Sequence, residues 1–175
     1  MTIRAATASD AAACAAIYAP YVTDTAVTFE LEPASEAEMG ERIGNFARTH
    51  AWLVLEEDGR VVGYAYGSPF RSRPAYQWSC EVSVYLERGR RRTGGGRALY
   101  EQLLARLSER GYRTAIGVMT LPNPASEALH RAMGFEPVGT LRRVGWKLGS
   151  WHDVAWAQRA LALGEDPPDE PEVES

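Results

Sequence analysis

The segment RGRRRTGGGR, residues 88–97, connects a strand-like run to a helix-like run. Before it, Trp78 to Leu86 is a long predicted strand, and after it the leucines between 99 and 107 recur at helical spacing. A glycine-rich turn between a strand and a helix directs backbone N–H groups, and the positive end of the helix dipole, toward a phosphate. The glycines allow close approach and the arginines add fixed charge, so the segment favours a polyphosphate ligand over a solvated turn.

Two common phosphate motifs do not match this segment. A P-loop requires a lysine after its glycines, and none is present. The dinucleotide-binding pattern fails because Leu99 occupies the place of its third glycine.

Working outward, the pattern predicts one α/β domain with the order β-α-α-β-β-β-α-β-α-β-β. Ser9-Asp10 and the capping box of Ser35 and Glu38 begin two helices, and Pro20 should end or kink the first. Asp58-Gly59 predicts a hairpin turn. The remaining boundaries are strands at 3–6, 52–55, 61–66, 114–119, 135–141 and 153–161, and helices ending near 21, 49 and 133.

Composition limits the class of protein. The chain has 175 residues, a net charge of -4 and two cysteines, so neither a disulfide framework nor general nucleic-acid binding is expected. No apolar run suggests a membrane span or a secretory signal, and the cytoplasm is the expected compartment. We expect residues 1–163 to form the domain and the acidic, proline-rich residues 164–175 to be a disordered tail.

Arg91-Arg92-Thr93-Gly94-Gly95-Gly96 matches the pyrophosphate motif Q/R-x-x-G-x-G/A, and the chain resembles the GNAT superfamily of acetyltransferases. It is similar to the phosphinothricin N-acetyltransferase branch, which also acetylates methionine sulfoximine and sulfone. The resemblance covers residues 2 to 162 and rests on further segments: Ala75–Trp78, Glu81–Tyr85, Leu121–Asn123, His130–Phe135 and Gly145–Asp153.

The resemblance implies a GNAT fold and acetyl-CoA as co-substrate, without a metal. Residues Arg92, Thr93, Gly94, Gly95, Gly96 and Arg97 would hold the pyrophosphate. The backbone of Val84, Tyr85 and Leu86 would pair with the pantetheine arm. Asn123 would bind near the reactive end, or simply cap a helix.

Glu81 and His130 are the expected catalytic residues by the same resemblance. A carboxylate in a mostly apolar strand can accept the proton that an ammonium must lose before it attacks a thioester, although strand alternation could instead point Glu81 to solvent. His130 stands where many GNAT enzymes have a tyrosine, and its role as acid or base stays open. Cys80 is disfavoured as a nucleophile because neighbouring Glu81 should raise its pKa.

Four residues are expected to contact the amine substrate. Arg71 and Arg73 would pair with its carboxylate or phosphinate, and Phe29 and Tyr76 would form walls. Lys147 and Asp153 suggest an ion pair in the last hairpin, at the seam of a homodimer that the family resemblance implies. Three alternatives remain: an acetyltransferase for protein N-termini or polyamines, a non-catalytic acyl-CoA sensor, and a nucleic-acid module.

Overall fold

A computed structural model describes residues 1–90, 94–162 and 169–173. Their elements are β1 (Thr2–Ala5), α1 (Ala11–Asp24), α2 (Glu36–Thr49), β2 (Ala51–Glu57), β3 (Arg60–Pro69), β4 (Ser79–Leu86), α3 (Gly95–Glu109), β5 (Thr114–Leu121), α4 (Pro124–Ala132), β6 (Glu136–Lys147) and β7 (Ser150–Ala160). This confirms the predicted order of elements. No helix within these ranges is long and apolar enough to cross a membrane.

A seven-stranded sheet forms the centre of the molecule, in the order β1-β2-β3-β4-β5-β7-β6. Only β4 and β5 run parallel, and every other neighbouring pair is antiparallel. One core packs between the sheet and α3, and a second packs beneath α1 and α2. The sheet therefore has two covered faces.

Pro20 does not end the first helix, so the predicted helix end near residue 21 is wrong. Helix α1 continues to Asp24 although proline removes one backbone donor from its interior. Ile17, Tyr18 and Val22 are buried on both sides of the proline, and this packing against the sheet holds the helix together.

The last hairpin is longer than predicted. Strand β6 reaches Lys147 and β7 begins at Ser150, so the pairing extends beyond residues 141 and 153 to a tight turn at Leu148 and Gly149. Both turn residues have positive φ, which glycine adopts without cost.

The predicted disorder of residues 164–175 concerns mainly positions outside the described ranges and stays a prediction. Within 169–173, the Trp78 indole N–H donates to the Asp169 carbonyl at 2.8 Å. The Glu172 N–H donates to the Arg110 carbonyl at 2.9 Å. This part of the tail therefore contacts the domain at the C-terminal end of α3.

Candidate active site

A gap opens between β4 and β5. The two strands pair only from Ser79 to Glu81, opposite Thr114 to Ile116. Beyond Glu81, β4 continues to pair with β3, and β5 continues to pair with β7. One edge of the Val84–Leu86 backbone therefore faces the gap, where an extended ligand can pair with it as an added strand.

The side chain of Tyr85 takes no part in that edge. Its ring packs edge-on against Tyr18 and Tyr21, at centroid distances of 5.0 and 5.2 Å, beneath α1. Val84 packs against the other core, below α3. With these two side chains packed against the cores, the backbone edge is what this part of β4 offers to an extended ligand in the gap.

The glycine-rich turn ends at the N-terminus of α3. Gly94 caps the helix with φ of +79°, a conformation that favours glycine. A Cβ added at Gly96 would approach the Leu86 side chain to 3.3 Å, so the start of α3 lies directly beside the end of β4. Arg92 and Thr93 lie outside the described residues.

The neighbouring arginines do not all remain available. Arg90 forms ion pairs with Glu57 and Glu87, which ties it to the β2–β3 side of the sheet. The exposed Arg97 pairs with Glu101 one turn further along α3, at 2.8 Å. A surface pair of this kind is weak and can yield to a phosphate.

Glu81 lies at the point where β4 and β5 part. Its neighbours Cys80 and Val82 belong to the core below α3, so strand alternation places Glu81 on the opposite face. The side chain is half-buried, not solvated as the simplest alternation would have it. Burial raises the pKa of its carboxyl, and the charge of Arg71 opposes that rise.

His130 lies on the other face, held at both ring nitrogens. Nδ1 is 2.8 Å from the Ser126 carbonyl, which can only accept, so Nδ1 carries the proton and donates. Nε2 is then an acceptor for the Tyr100 hydroxyl at 2.9 Å. Burial lowers the pKa of His130, and the bond to Ser126 partly offsets this.

Tyr100 was missed by the sequence analysis, which gave it no role beside His130. Its hydroxyl is fully buried, and it lies 30 residues away in sequence, on a different helix from the histidine. Its position among the α3 leucines gave no separate signal. The structure makes it the only side-chain hydrogen-bond partner of Nε2 among the described residues.

Asn123 caps α4. Its Oδ1 accepts the Ser126 N–H at 3.2 Å, which is the structural role considered for it. The same bond fixes the helix turn whose Ser126 carbonyl orients His130.

Arg71 and Tyr76 come together through Phe70. The Arg71 guanidinium carbon lies 4.5 Å from the Phe70 ring centroid and 5.3 Å from that of Trp156. Tyr76 meets the same phenyl ring edge-on at 5.6 Å. Arg73 is exposed and precedes the short turn at 74–76.

Phe29 lies apart from these residues, on the loop between α1 and α2, and its ring packs against the last hairpin. Its ring fills the space that a side chain at Gly145 would need. The loop that carries it is tied down by Lys147, whose Nζ donates to the carbonyls of Thr28 and Glu30, both at 2.8 Å. The predicted pair of Lys147 with Asp153 is therefore wrong.

Asp153 instead forms hydrogen bonds with two arginines of β6. It accepts from Arg142 Nη1 at 2.7 Å and from the Arg143 N–H at 2.8 Å. Strand β6 bulges between Leu141 and Gly145, and this irregularity brings the Arg143 amide to the carboxylate.

Comparison with known proteins identifies the family. The GNAT acetyltransferase domain matches residues 3–156. The chain belongs to the GNAT acetyltransferases. It is 39% identical over 165 residues to a phosphinothricin N-acetyltransferase of Streptomyces viridochromogenes, covering 94% of this chain and 90% of that one.

Two further proteins are similar to this chain over most of its length. A methionine sulfoximine/sulfone acetyltransferase of Pseudomonas aeruginosa PAO1 is 30% identical over 91% of this chain and 94% of its own. The crystal structure of a phosphinothricin acetyltransferase from Sinorhizobium meliloti in complex with acetyl-CoA superposes with a TM-score of 0.88. It is 41% identical and covers 97% of this chain and 92% of that one.

This GNAT site holds no activated thiol. Burial raises the pKa of Cys80 to about 12, so the thiolate that a covalent relay needs is not formed near neutral pH. The cause is burial and not the charge of Glu81, which corrects the earlier explanation.

The described residues were also compared with the side-chain groups that hold metal ions in proteins. Within the described ranges, no group of three or more His, Cys, Asp and Glu side chains is arranged to hold a metal ion. A metal-free reaction stays a prediction.

A cavity of about 230 Å³ lies beneath α4, beside His130. Met119, Phe135 and Ala155 contribute to its apolar wall, and Glu127 and Arg131 stand at its edge. His130 therefore borders an open space as well as the packed Tyr100 ring.

Proposed function

We propose that this protein transfers the acetyl group of acetyl-CoA to the α-amine of a small amino-acid-like substrate, such as phosphinothricin, methionine sulfoximine or methionine sulfone. The single observation that carries the proposal is the half-buried Glu81 carboxylate at the opening between β4 and β5. The named activities of the relatives support it.

Acetyl-CoA fits the α3 side of the gap. Its pantetheine amides would pair with the free edge of Val84–Leu86, and its pyrophosphate would lie at the N-terminus of α3, near Gly94–Arg97. Arg92 and Thr93 are assigned to the same pyrophosphate by the family motif. The acetyl-CoA complex of the Sinorhizobium meliloti relative supports acetyl-CoA as the co-substrate.

The amine would approach from the opposite face, where Glu81 and Arg71 lie. Because its pKa is raised, the Glu81 carboxylate is a stronger base than an exposed glutamate and takes the ammonium proton, directly or through water. The neutral nitrogen then attacks the thioester carbon and forms the N–C bond, the C–S bond breaks, and the proton that the nitrogen loses on becoming an amide balances the one that the departing thiolate takes up.

His130 would act through Tyr100. The Tyr100 hydroxyl has a single proton and donates it to Nε2 of the neutral imidazole, so Tyr100 could protonate the thiolate only after this hydroxyl turns away from Nε2. Arg71, Arg73, Phe29 and Tyr76 would bind the remainder of the amino acid, with the arginines on its anion.

Glu81→Gln tests the proposal, because it keeps the shape of the side chain and removes the base. With methionine sulfone as substrate, we expect kcat to fall by about 10²-fold or more while acetyl-CoA affinity, measured by calorimetry, is unchanged. Glu109→Gln, at an exposed position of α3, is the matched control. Full kcat for Glu81→Gln at saturating amine would show that Glu81 is structural.

The substrate class is tested with a panel of amines and detection of the released thiol. If spermidine or peptide N-termini react much faster than phosphinothricin or methionine sulfone, the enzyme acts on another amine class. A chain that binds acetyl-CoA and acetylates no amine would be a sensor.

We further propose that the enzyme works in the cytoplasm as a homodimer. Six exposed apolar side chains on the last hairpin support an interface there: Val138, Leu141, Val144, Trp146, Leu148 and Trp151.

A further inference from the structure

Trp156 lies on the substrate face of the sheet. In β7 it pairs with Val118 of β5, while its neighbours Ala155 and Ala157 face the core below α3. Alternation therefore places its indole on the face that carries Glu81. Phe70 meets the indole edge-on at 6.0 Å, and the Arg71 guanidinium lies over it.

The indole N–H of Trp156 is buried and has no hydrogen-bond partner among the described residues. Trp52 is the other tryptophan in this state, but its N–H lies beside the Cys14 sulfur, a weak acceptor. Neither cysteine makes such a contact with Trp156 in the described part of the chain. A buried donor without a partner is costly, and its presence in a substrate face requires an explanation.

We propose that the Trp156 N–H is a specificity-determining donor for a neutral side-chain oxygen of the substrate, a sulfonyl or sulfoximine oxygen. The inference rests on the proposed function and deepens it. Arg71, which stacks on the same ring, takes the charged α-carboxylate next to the amine at Glu81.

The division of labour follows from charge. A guanidinium pairs best with a carboxylate, through two parallel bonds, and its charge is felt at Glu81. A sulfone oxygen is neutral, so a neutral N–H in a dry setting binds it without leaving a buried charge unpaired. Arg71 is exposed and can shift on binding without disturbing either core.

The proposed donor would make the enzyme select methionine sulfone over methionine, which lacks the sulfonyl oxygens. Methionine has the same chain as methionine sulfone but leaves the N–H unpaired after the site has closed over it. Sites that rely on a buried polar group discriminate strongly against an analogue that cannot bond it. Methionine sulfone should therefore be preferred over methionine in kcat/KM.

Trp156→Phe is the test, because phenylalanine keeps an aromatic surface for Arg71 and loses only the N–H. We expect the sulfone-over-methionine ratio of kcat/KM to fall about tenfold, through a higher KM for the sulfone. The matched control is Trp52→Phe, which removes a buried indole N–H away from the site. Its ratio should stay at the wild-type value.

A second measurement uses NMR of the wild-type protein, saturated with an acetyl-CoA analogue that cannot transfer its acetyl group. The Trp156 indole N–H resonance, assigned by its loss in Trp156→Phe, should move on addition of methionine sulfone and much less on addition of methionine. A wild-type ratio in Trp156→Phe, or an unmoved resonance, overturns the role of Trp156 alone. A wild-type enzyme that acetylates none of methionine sulfone, methionine sulfoximine and phosphinothricin overturns the proposed function as well.

Discussion

Gly117 gives His130 the space it occupies. A Cβ at this position of β5 would overlap Nε2 and its neighbouring ring carbon. The ring cannot retreat far, since Tyr100 and Phe135 contact it on other sides, with centroid distances of 5.3 and 4.9 Å. One missing methyl group therefore sets the geometry of the Tyr100–His130 hydrogen bond.

Gly117→Ala should displace the imidazole and lengthen its bond to Tyr100. We expect kcat to fall by about 10-fold or more with little change in KM for the amine, because the substrate face is untouched. Steady-state kinetics with methionine sulfone measure this. The control is Gly139→Ala, where an added Cβ meets nothing within 4 Å. Equal loss in both variants would mean that general damage to the sheet is responsible.

The C-terminal end of α2 contains a buried, neutral histidine. His50 stacks on Tyr112 at 4.8 Å, and the Arg110 guanidinium donates to the Ala47 and His50 carbonyls. Burial, with a smaller contribution from Arg110, lowers the pKa of His50 to about 4. The end of α2 is thus joined to the end of α3.

Acid should therefore destabilise the fold through His50. The unfolded chain has a histidine pKa near 6.5, so it binds a proton before the folded state does, and stability present above pH 6.5 is lost as the pH falls toward 4. The loss should reach about 2–3 kcal/mol. Urea unfolding between pH 7 and 4 measures it, and His50→Gln should lose less over that interval. Identical pH dependence in the two proteins would contradict the assignment.

Helix α2 contains a glycine at a position where a larger residue would fit. Gly44 is exposed in the middle of the helix, and an added Cβ would meet nothing within 4 Å. Gly44→Ala should raise the free energy of unfolding by about 0.5–1 kcal/mol, because alanine has less backbone freedom to lose. Thermal or urea unfolding is the measurement. Gly59→Ala, at a φ of +73°, should be destabilising instead.

The molecule as a whole exposes one large apolar surface on its last hairpin. Burial of that surface in a homodimer predicts sedimentation at twice the 19.3 kDa of the chain. Val144→Glu should shift the mass toward the monomer. Ala105→Glu, on the exposed side of α3, should not. A wild-type protein that sediments as a monomer at micromolar concentration would contradict the proposal.

Local signals in the sequence were sufficient for most of the fold. The capping box at Ser35 and Glu38 is present as predicted, with each side chain bonded to the other's backbone N–H. The glycine turn leads from β4 into α3 as expected. Where the predicted helix end near residue 21 failed, tertiary packing outweighed the local preference of proline.

The candidate site was less accessible to such reasoning, because its contacts join distant residues. Glu81 and His130 came from the family resemblance, but the Tyr100 hydroxyl and the space at Gly117 follow only from how α3, α4 and β5 meet. Lys147 was assigned a partner six residues away, whereas its actual acceptors lie 117 and 119 residues earlier.

Lys147 is also the only lysine in the chain. Its side chain is buried at 4% exposure, and its ammonium is engaged by two carbonyls. Uncatalysed acylation of proteins by reactive thioesters needs an accessible, deprotonated amine. An enzyme that works in the presence of such a thioester thus offers it no exposed lysine. Incubation with excess acetyl-CoA should leave Lys147 unmodified by mass spectrometry, and an amine-reactive dye should label the folded chain only at its α-amino group.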